Sequence, residues 1–461
     1  MLPVSFDQQA DGIMDTLLAL AGKLASRTAT SRDLIEECLA CANDPQGEGS
    51  RVFTRISAEY ARAAADAMDT LRNAGAAPSA FAGIPISVKD LFDIAGQVTT
   101  AGSRVLASNP PAQEDARAVA RLRAAGFVIV GRTNMTEFAY SGLGMNAHFG
   151  TPRNPFDRAA GRIPGGSSSG AAVGVADGMF AAGLGTDTGG SCRIPAALCG
   201  IVGFKPTAHR VPREGVFPFS STLDSVGSLA RSVDCCAFLD AILSGDTPRT
   251  EEPFPLAGLR LGLPNCYVTD GMDAAVSAAF DRAISSLSAA GAKVVNLPLD
   301  MLKEIPGINA KGGLIGAEAY AWHREYLERS PQLYDPWVLQ RFEAGRSQTA
   351  ADYITTGRAR EQMIQRVAKV TACVDAVVMP TVPIVAPAIA EMAETEVANR
   401  TNLLLVRNPL LANFLDRCAI SLPCHRAGEP PVGLMLLGEH NADRRLLAIA
   451  RSLVQAVDVS D

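Results

Sequence analysis

Hydrophobic positions change their period near residue 75. Ile13, Leu17, Leu20 and Leu24 recur at helical spacing and the Ala-rich residues 61–75 continue the pattern, so residues 1–75 read as a helical region. Thereafter short apolar, β-branched runs at 84–88, 128–130 and 377–379 alternate with Ala-, Leu- and Arg-rich helical stretches at 116–125, 275–290 and 443–457. That alternation predicts an α/β fold, a mixed twisted sheet covered by helices on both faces. Residues 300–370 read as helical and more polar, carrying Trp322, Trp337, Tyr320, His323 and Tyr326; they suit an outer layer or a cap over a cleft. The 461 residues would fill about three average domains, yet no repeat or low-complexity linker divides them, so one large domain spanning 1–461 is expected.

Charge narrows the partner. The chain has 42 basic and 48 acidic residues, a formal charge of −6, with both signs mixed and no basic run, which argues against nucleic acid and anionic membrane surfaces. A small molecule is the expected partner. Asp7, Asp11 and Asp15 occupy positions where a secretory signal needs basic residues. The weakly polar residues 171–185 are interrupted by Asp177 and fall short of the roughly 20 apolar residues of a membrane span. Both point to a soluble cytoplasmic protein. The ten cysteines include one CxxC, Cys38 to Cys41, with no second pair or histidine cluster to complete a zinc pattern, and read as reduced thiols.

Candidate chemistry concentrates in residues 161–206, where 12 of 46 residues are glycine against 41 of 461 overall. Such density marks backbone that turns tightly or closely approaches a ligand. Within it, Gly166-Ser-Ser168-Ser-Gly170 matches the G-x-S-x-G nucleophile elbow formally, but the preceding segment holds two prolines and reads as loop where an elbow needs a strand. His209, His323, His425 and His440 stand in no context that marks one as its triad partner. Gly183-Leu-Gly185-Thr-Asp-Thr-Gly189 is one residue off the dinucleotide fingerprint and lacks its βαβ context. Cys192, in an apolar run, reads as a core filler rather than a nucleophile.

A three-part constellation is more specific. Lys89 ends an apolar run, Ile84-Pro-Ile-Ser-Val88, in a chain with 7 lysines among its 42 basic residues. Ser167 lies in Gly165-Gly-Ser-Ser-Ser-Gly170, and Ser191 follows Gly185-Thr-Asp-Thr-Gly-Gly190. Acyl transfer by a serine needs a base for its proton and preorganised donors for the oxyanion. The segment Thr188-Gly189-Gly190-Ser191 can turn several N–H groups toward one point, and an apolar strand end can lower the pKa of a lysine into the range of a base.

Residues 161–206, continuing through Gly200-Ile-Val-Gly-Phe-Lys-Pro-Thr207, resemble the signature stretch of the amidase signature family, the Ser-cisSer-Lys amidohydrolases. The resemblance extends to 83–103, 126–139, 223–227 and 379–383, and so covers most of the chain from about residue 80, with 80–230 as the catalytic core. It implies Ser191 as nucleophile, Ser167 as a bridging serine after a cis peptide, Lys89 as terminal base, and the N–H groups of Thr188, Gly189, Gly190 and Ser191 as oxyanion hole. It implies no metal or organic cofactor, and leaves a homodimer open.

The same resemblance fixes the bond type and leaves the substrate open. Ile194 stands where some members acting on acidic amides carry an arginine, which favours a neutral or aryl amide, with carbamates as an extension. Phe138, Ala139, Tyr140 and Met145 are candidates, with Ile194, for an apolar pocket, and core packing is the plain alternative for each. Residues 314–345 and 385–410 remain as segments that could cover such a site. The rival functions are the A subunit of an aminoacyl-tRNA amidotransferase, a carboxybiuret- or allophanate-type amidohydrolase, and a noncatalytic small-molecule-binding protein on the same scaffold.

Overall fold

The computed structural model describes residues 14–250 and 252–457. Eleven strands form one mixed sheet: β1 (Phe53–Ile56), β2 (Pro85–Lys89), β3 (Val128–Thr133), β4 (Ala182–Asp187), β5 (Val202–Lys205), β6 (Ser225–Ala230), β7 (Arg260–Pro264), β8 (Lys293–Leu297), β9 (Ala376–Pro380), β10 (Ala419–Pro423) and β11 (Gly433–Leu437). Their order is β1-β3-β2-β4-β6-β5-β10-β11-β9-β7-β8. Pairings of β2 with β3 and β4, and of β7 with β8 and β9, are parallel; the others are antiparallel.

Every residue of β2, β3, β4, β6, β9 and β11 is buried, as expected where helices cover both faces of a sheet. The helical periodicities reappear as Arg117–Ala124, Ala274–Ala289 and Asp443–Ala456. Leu17, Leu20 and Leu24 form the buried stripe of the helix Leu17–Ser26, which Thr16 caps by accepting from the Ala19 N–H. Ile13, Asp7 and Asp11 lie outside the described residues.

The N-terminal region is not wholly helical. β1 lies within it and pairs antiparallel with β3 at a sheet edge. Phe53 is buried while Arg55 is exposed, and with a register irregularity between them the four residues show no period-2 alternation that would stand out from their helical flanks. Residues 171–185 also divide, into the helix Ser169–Ala176 and most of β4. Residues 300–370 fold mainly as three helices, Gly313–Arg329, Pro336–Ala344 and Ala350–Thr371. No helix among the described residues is long and apolar enough to cross a membrane.

Candidate active site

β2 and β4 are parallel neighbours, so their C-terminal ends reach the same edge of the sheet. β2 delivers Lys89 there, and β4 runs into the turn that carries Ser191. The third segment arrives from the loop before the helix Ser169–Ala176, where the Gly166–Ser167 peptide is cis. Three backbone hydrogen bonds hold it: Gly166 N–H donates to Gly142 O at 2.8 Å, Thr136 N–H to Ser167 O at 3.1 Å, and Ser168 N–H to Ser191 O at 3.3 Å. The last of these ties the bridging segment directly to the nucleophile candidate.

Lys89 Nζ lies 2.8 Å from Ser167 Oγ and 2.8 Å from Thr186 Oγ1. Lys89 and Ser167 are fully buried, whereas Ser191 keeps 6% of its surface exposed. Burial pulls the lysine down to about 8, against a smaller opposing pull from Cys192, Asp187 and Asp224. As an amine it can accept the Ser167 hydroxyl proton while still donating to Thr186. Thr186 is a site residue that sequence reasoning misses; its only signal is its place in the Gly-Thr-Asp-Thr-Gly-Gly run.

The nucleophile turn is organised by Asp187. Burial alone would raise its carboxyl, but the Arg193 guanidinium together with Lys205 and the Cys192 N–H outweighs that and holds it down to about 2. The carboxylate accepts from Gly190 N–H at 2.9 Å and Cys192 N–H at 3.0 Å, on either side of Ser191. Of the four N–H groups expected to form the oxyanion hole, that of Gly190 is thus engaged by Asp187. The N–H groups of Thr188, Gly189 and Ser191 have no acceptor among the described residues and are the donors left.

The competing chemistries find no support in this geometry. Ser168 donates to Thr186 O at 3.5 Å, and neither it nor Ser191 hydrogen-bonds to a histidine among the described residues. His323 is buried against Tyr334 Oη at 2.9 Å, and burial pulls its imidazole down to about 3. Gly183 and Gly185 sit within β4, where a phosphate loop cannot form. Cys192 is fully buried, and burial pushes its thiol far up. Cys38 and Cys41 are free thiols, and the described residues contain no group of three or more metal-ligating side chains.

A cavity of about 280 Å³ opens beside Thr186 and Thr188. Its walls are largely apolar, with Leu91, Val216, Phe217, Phe219 and Trp322, and Arg213 and Asp224 supply charge. Ser191 and Ser167 are not on its walls; it meets the site on the Thr186 side of Lys89. None of the five residues expected to line a pocket does so here. Phe138 is buried behind Phe217, its ring 5.6 Å away, and Tyr140 packs edge-on against Phe219 at 4.7 Å. Ala139 is buried in the main core, whereas Ile194 is buried, with Met145 packed alongside, in a separate cluster. Besides Leu91 and Thr186, the lining residues missed from sequence come from 213–226 and from the helix Gly313–Arg329, and nothing in their local pattern marks which side chains face the cavity.

Comparison with known proteins bears on this arrangement. A model of the family described as Amidase matches residues 34–447. The chain belongs to the amidase family. Its match starts well before residue 80, where the recognisable motifs begin. The chain is 36% identical over 444 residues to 2-amino-5-chloromuconic acid deaminase of Comamonas testosteroni, covering 93% of each chain. It is 37% identical over 389 residues to the AtzE component of 1-carboxybiuret hydrolase of Pseudomonas sp. (strain ADP), covering 82% of this chain and 83% of the relative. It is also 34% identical to the A subunit of the glutamyl-tRNA(Gln) amidotransferase of Chloroflexus aggregans, over 96% of each chain. Among solved structures, an amidase crystal structure superposes with a TM-score of 0.87 at 32% identity, covering 96% of this chain and 100% of that one. The chain is thus an amidase-family hydrolase acting on C–N bonds, on a single-domain α/β fold with a large mixed sheet.

Proposed function

We propose that this protein hydrolyses small amides with an aryl or apolar body, and carbamates by extension, through an acyl-enzyme on Ser191. The observation that carries the reading is the buried contact of Lys89 Nζ with Ser167 Oγ at 2.8 Å, beside an apolar-walled cavity. Neutral Lys89 accepts a proton from Ser167, which takes one from Ser191 as its Oγ attacks the carbonyl carbon. The N–H groups of Thr188, Gly189 and Ser191 receive the developing oxyanion, each such donor contributing about 3 kcal/mol to the transition state. The proton returns along the same serines to the leaving amine, and water then attacks the acyl-enzyme with the relay again serving as base.

The purified chain, assayed alone on anilides, aliphatic amides, carbamates and ureas, is expected to release amine from anilides, and Ser191→Ala to lower turnover at least about a thousandfold. Full retained turnover in Ser191→Ala overturns the nucleophile assignment. Activity that appears only with partner subunits and glutamine favours the amidotransferase reading, to which the similarity to the A subunit of an amidotransferase gives weight. No turnover of any substrate favours a binding protein.

A further inference from the structure

Ile194 brings no charge to the nucleophile turn, but the neighbouring cavity does carry a cation. Arg213 lines it together with Phe217, Phe219 and Trp322. Its Nη1 donates to the backbone carbonyls of Ser221 at 3.0 Å and Asp224 at 3.2 Å, and its Nη2 lies 3.3 Å from His209 Nδ1. These contacts fix the plane of the guanidinium. Its Nε makes no hydrogen bond among the described residues, and no carboxylate among them lies within ion-pair distance.

That situation contrasts with the other arginines near the site. Arg132 is paired with Asp90, and Arg193 with Asp187. The one carboxylate on the cavity wall, Asp224, is already engaged: Oδ1 accepts from Thr188 Oγ1, and Oδ2 accepts from the N–H groups of Phe219 and Ser220. It makes no hydrogen bond or close ion pair with Arg213, although the two charges feel each other across the cavity wall. A cation held in place, with N–H groups still to donate, on a wall that is otherwise mostly apolar is arranged for an incoming anion, and the planar fork suits a carboxylate.

We infer that Arg213 anchors a carboxylate of the substrate, so that the preferred substrates are small aromatic or apolar amides that carry a carboxylate at the end far from the scissile bond. The inference rests on the amidase reading for the scissile bond, but the anchor itself is a binding property. The cavity, near the small end of ligand-site volumes, limits the body to about one ring or a short chain.

The test separates binding from turnover. Ser191→Ala protein is titrated by calorimetry with para-acetamidobenzoate and with the neutral para-methylacetanilide. The acid is expected to bind about ten- to a hundredfold more tightly, the range of a charge-assisted bidentate pair. Adding Arg213→Gln should erase that difference while leaving affinity for the neutral compound within about threefold, and Arg213→Lys should keep part of it. Retained binding of the neutral compound also reports that the variant is folded. Equal affinity for the two compounds, no measurable binding of the acid, or equal weakening of both by Arg213→Gln and Arg213→Lys overturns the anchor. Arg213-dependent binding of the acid by wild-type protein that hydrolyses neither compound overturns the aryl-amide reading and leaves the anchor standing.

Discussion

Arg193 grips both oxygens of Asp187, Nη2 donating to Oδ1 at 2.7 Å and Nε to Oδ2 at 3.1 Å, and neither side chain touches solvent. Arg193 also donates to Pro409 O and Asn413 Oδ1, so few of its donors are left unmet. Truncating one member leaves the other as an uncompensated buried charge. Arg193→Met is therefore expected to cost about 3–5 kcal/mol in urea denaturation. Because the same carboxylate holds the N–H groups on either side of Ser191, kcat should fall as well, by about a hundredfold, in protein that remains folded. Unchanged kcat in folded Arg193→Met would show that the clamp serves stability alone.

The pH profile follows from Lys89. Its pKa is lowered from the ordinary value to about 8, and only the amine accepts the Ser167 proton. Below pH 8 the ammonium predominates, so kcat/KM should rise tenfold per pH unit and level off above about 8. Thr186 accepts from Lys89 and thereby favours the charged form. Thr186→Val removes that acceptor at nearly constant shape, and the midpoint should move to lower pH. A midpoint that stays fixed or rises in this variant argues against the amine as the base.

Gly190 and Gly189 offer a paired test of the nucleophile turn. Gly190 has φ +121°, and a Cβ there would lie 2.4 Å from Pro409 Cβ and 2.8 Å from Ile194 Cδ1. At Gly189 the nearest atom would be Leu410 Cδ1 at 3.5 Å, an ordinary contact. Gly190→Ala should therefore lower kcat by about a hundredfold or more, and Gly189→Ala by much less. Steady-state rates of the two variants, compared at matched folded fraction, check this order.

The sequence carries the sheet's interior better than its edge. β2, β3 and β9 announce themselves as apolar runs because both faces are covered, whereas β1 has only one buried position at its start and an exposed arginine inside it. Lys89 is legible because a lysine ending such a run is chemically out of place. Ser167 and Ser191 become legible through the resemblance rather than through spacing. The cavity walls are not legible: Phe138 looks like a lining residue because it adjoins a motif, yet Phe217, nearly eighty positions later in the chain, stands in front of it. Which of two neighbouring aromatic rings faces a cavity is decided by long-range packing, and periodicity does not encode it. The engagement of the Gly190 N–H is hidden for a related reason, since its acceptor depends on where the Arg193 side chain places Asp187.

Parallel pairing of β2 with β4 has a consequence for how such a site can change. The strands that carry Lys89 and lead into the Ser191 turn are adjacent, so the roots of both segments are spaced by the interstrand repeat of about 4.8 Å, a ruler common to all sheets. Arg213, Phe217 and Trp322 hang from other segments and do not contribute to that ruler. Selectivity can thus be rewritten at those three positions while the spacing of the chemistry stays constant, which makes them the natural coordinates for redesigning this protein toward a new amide.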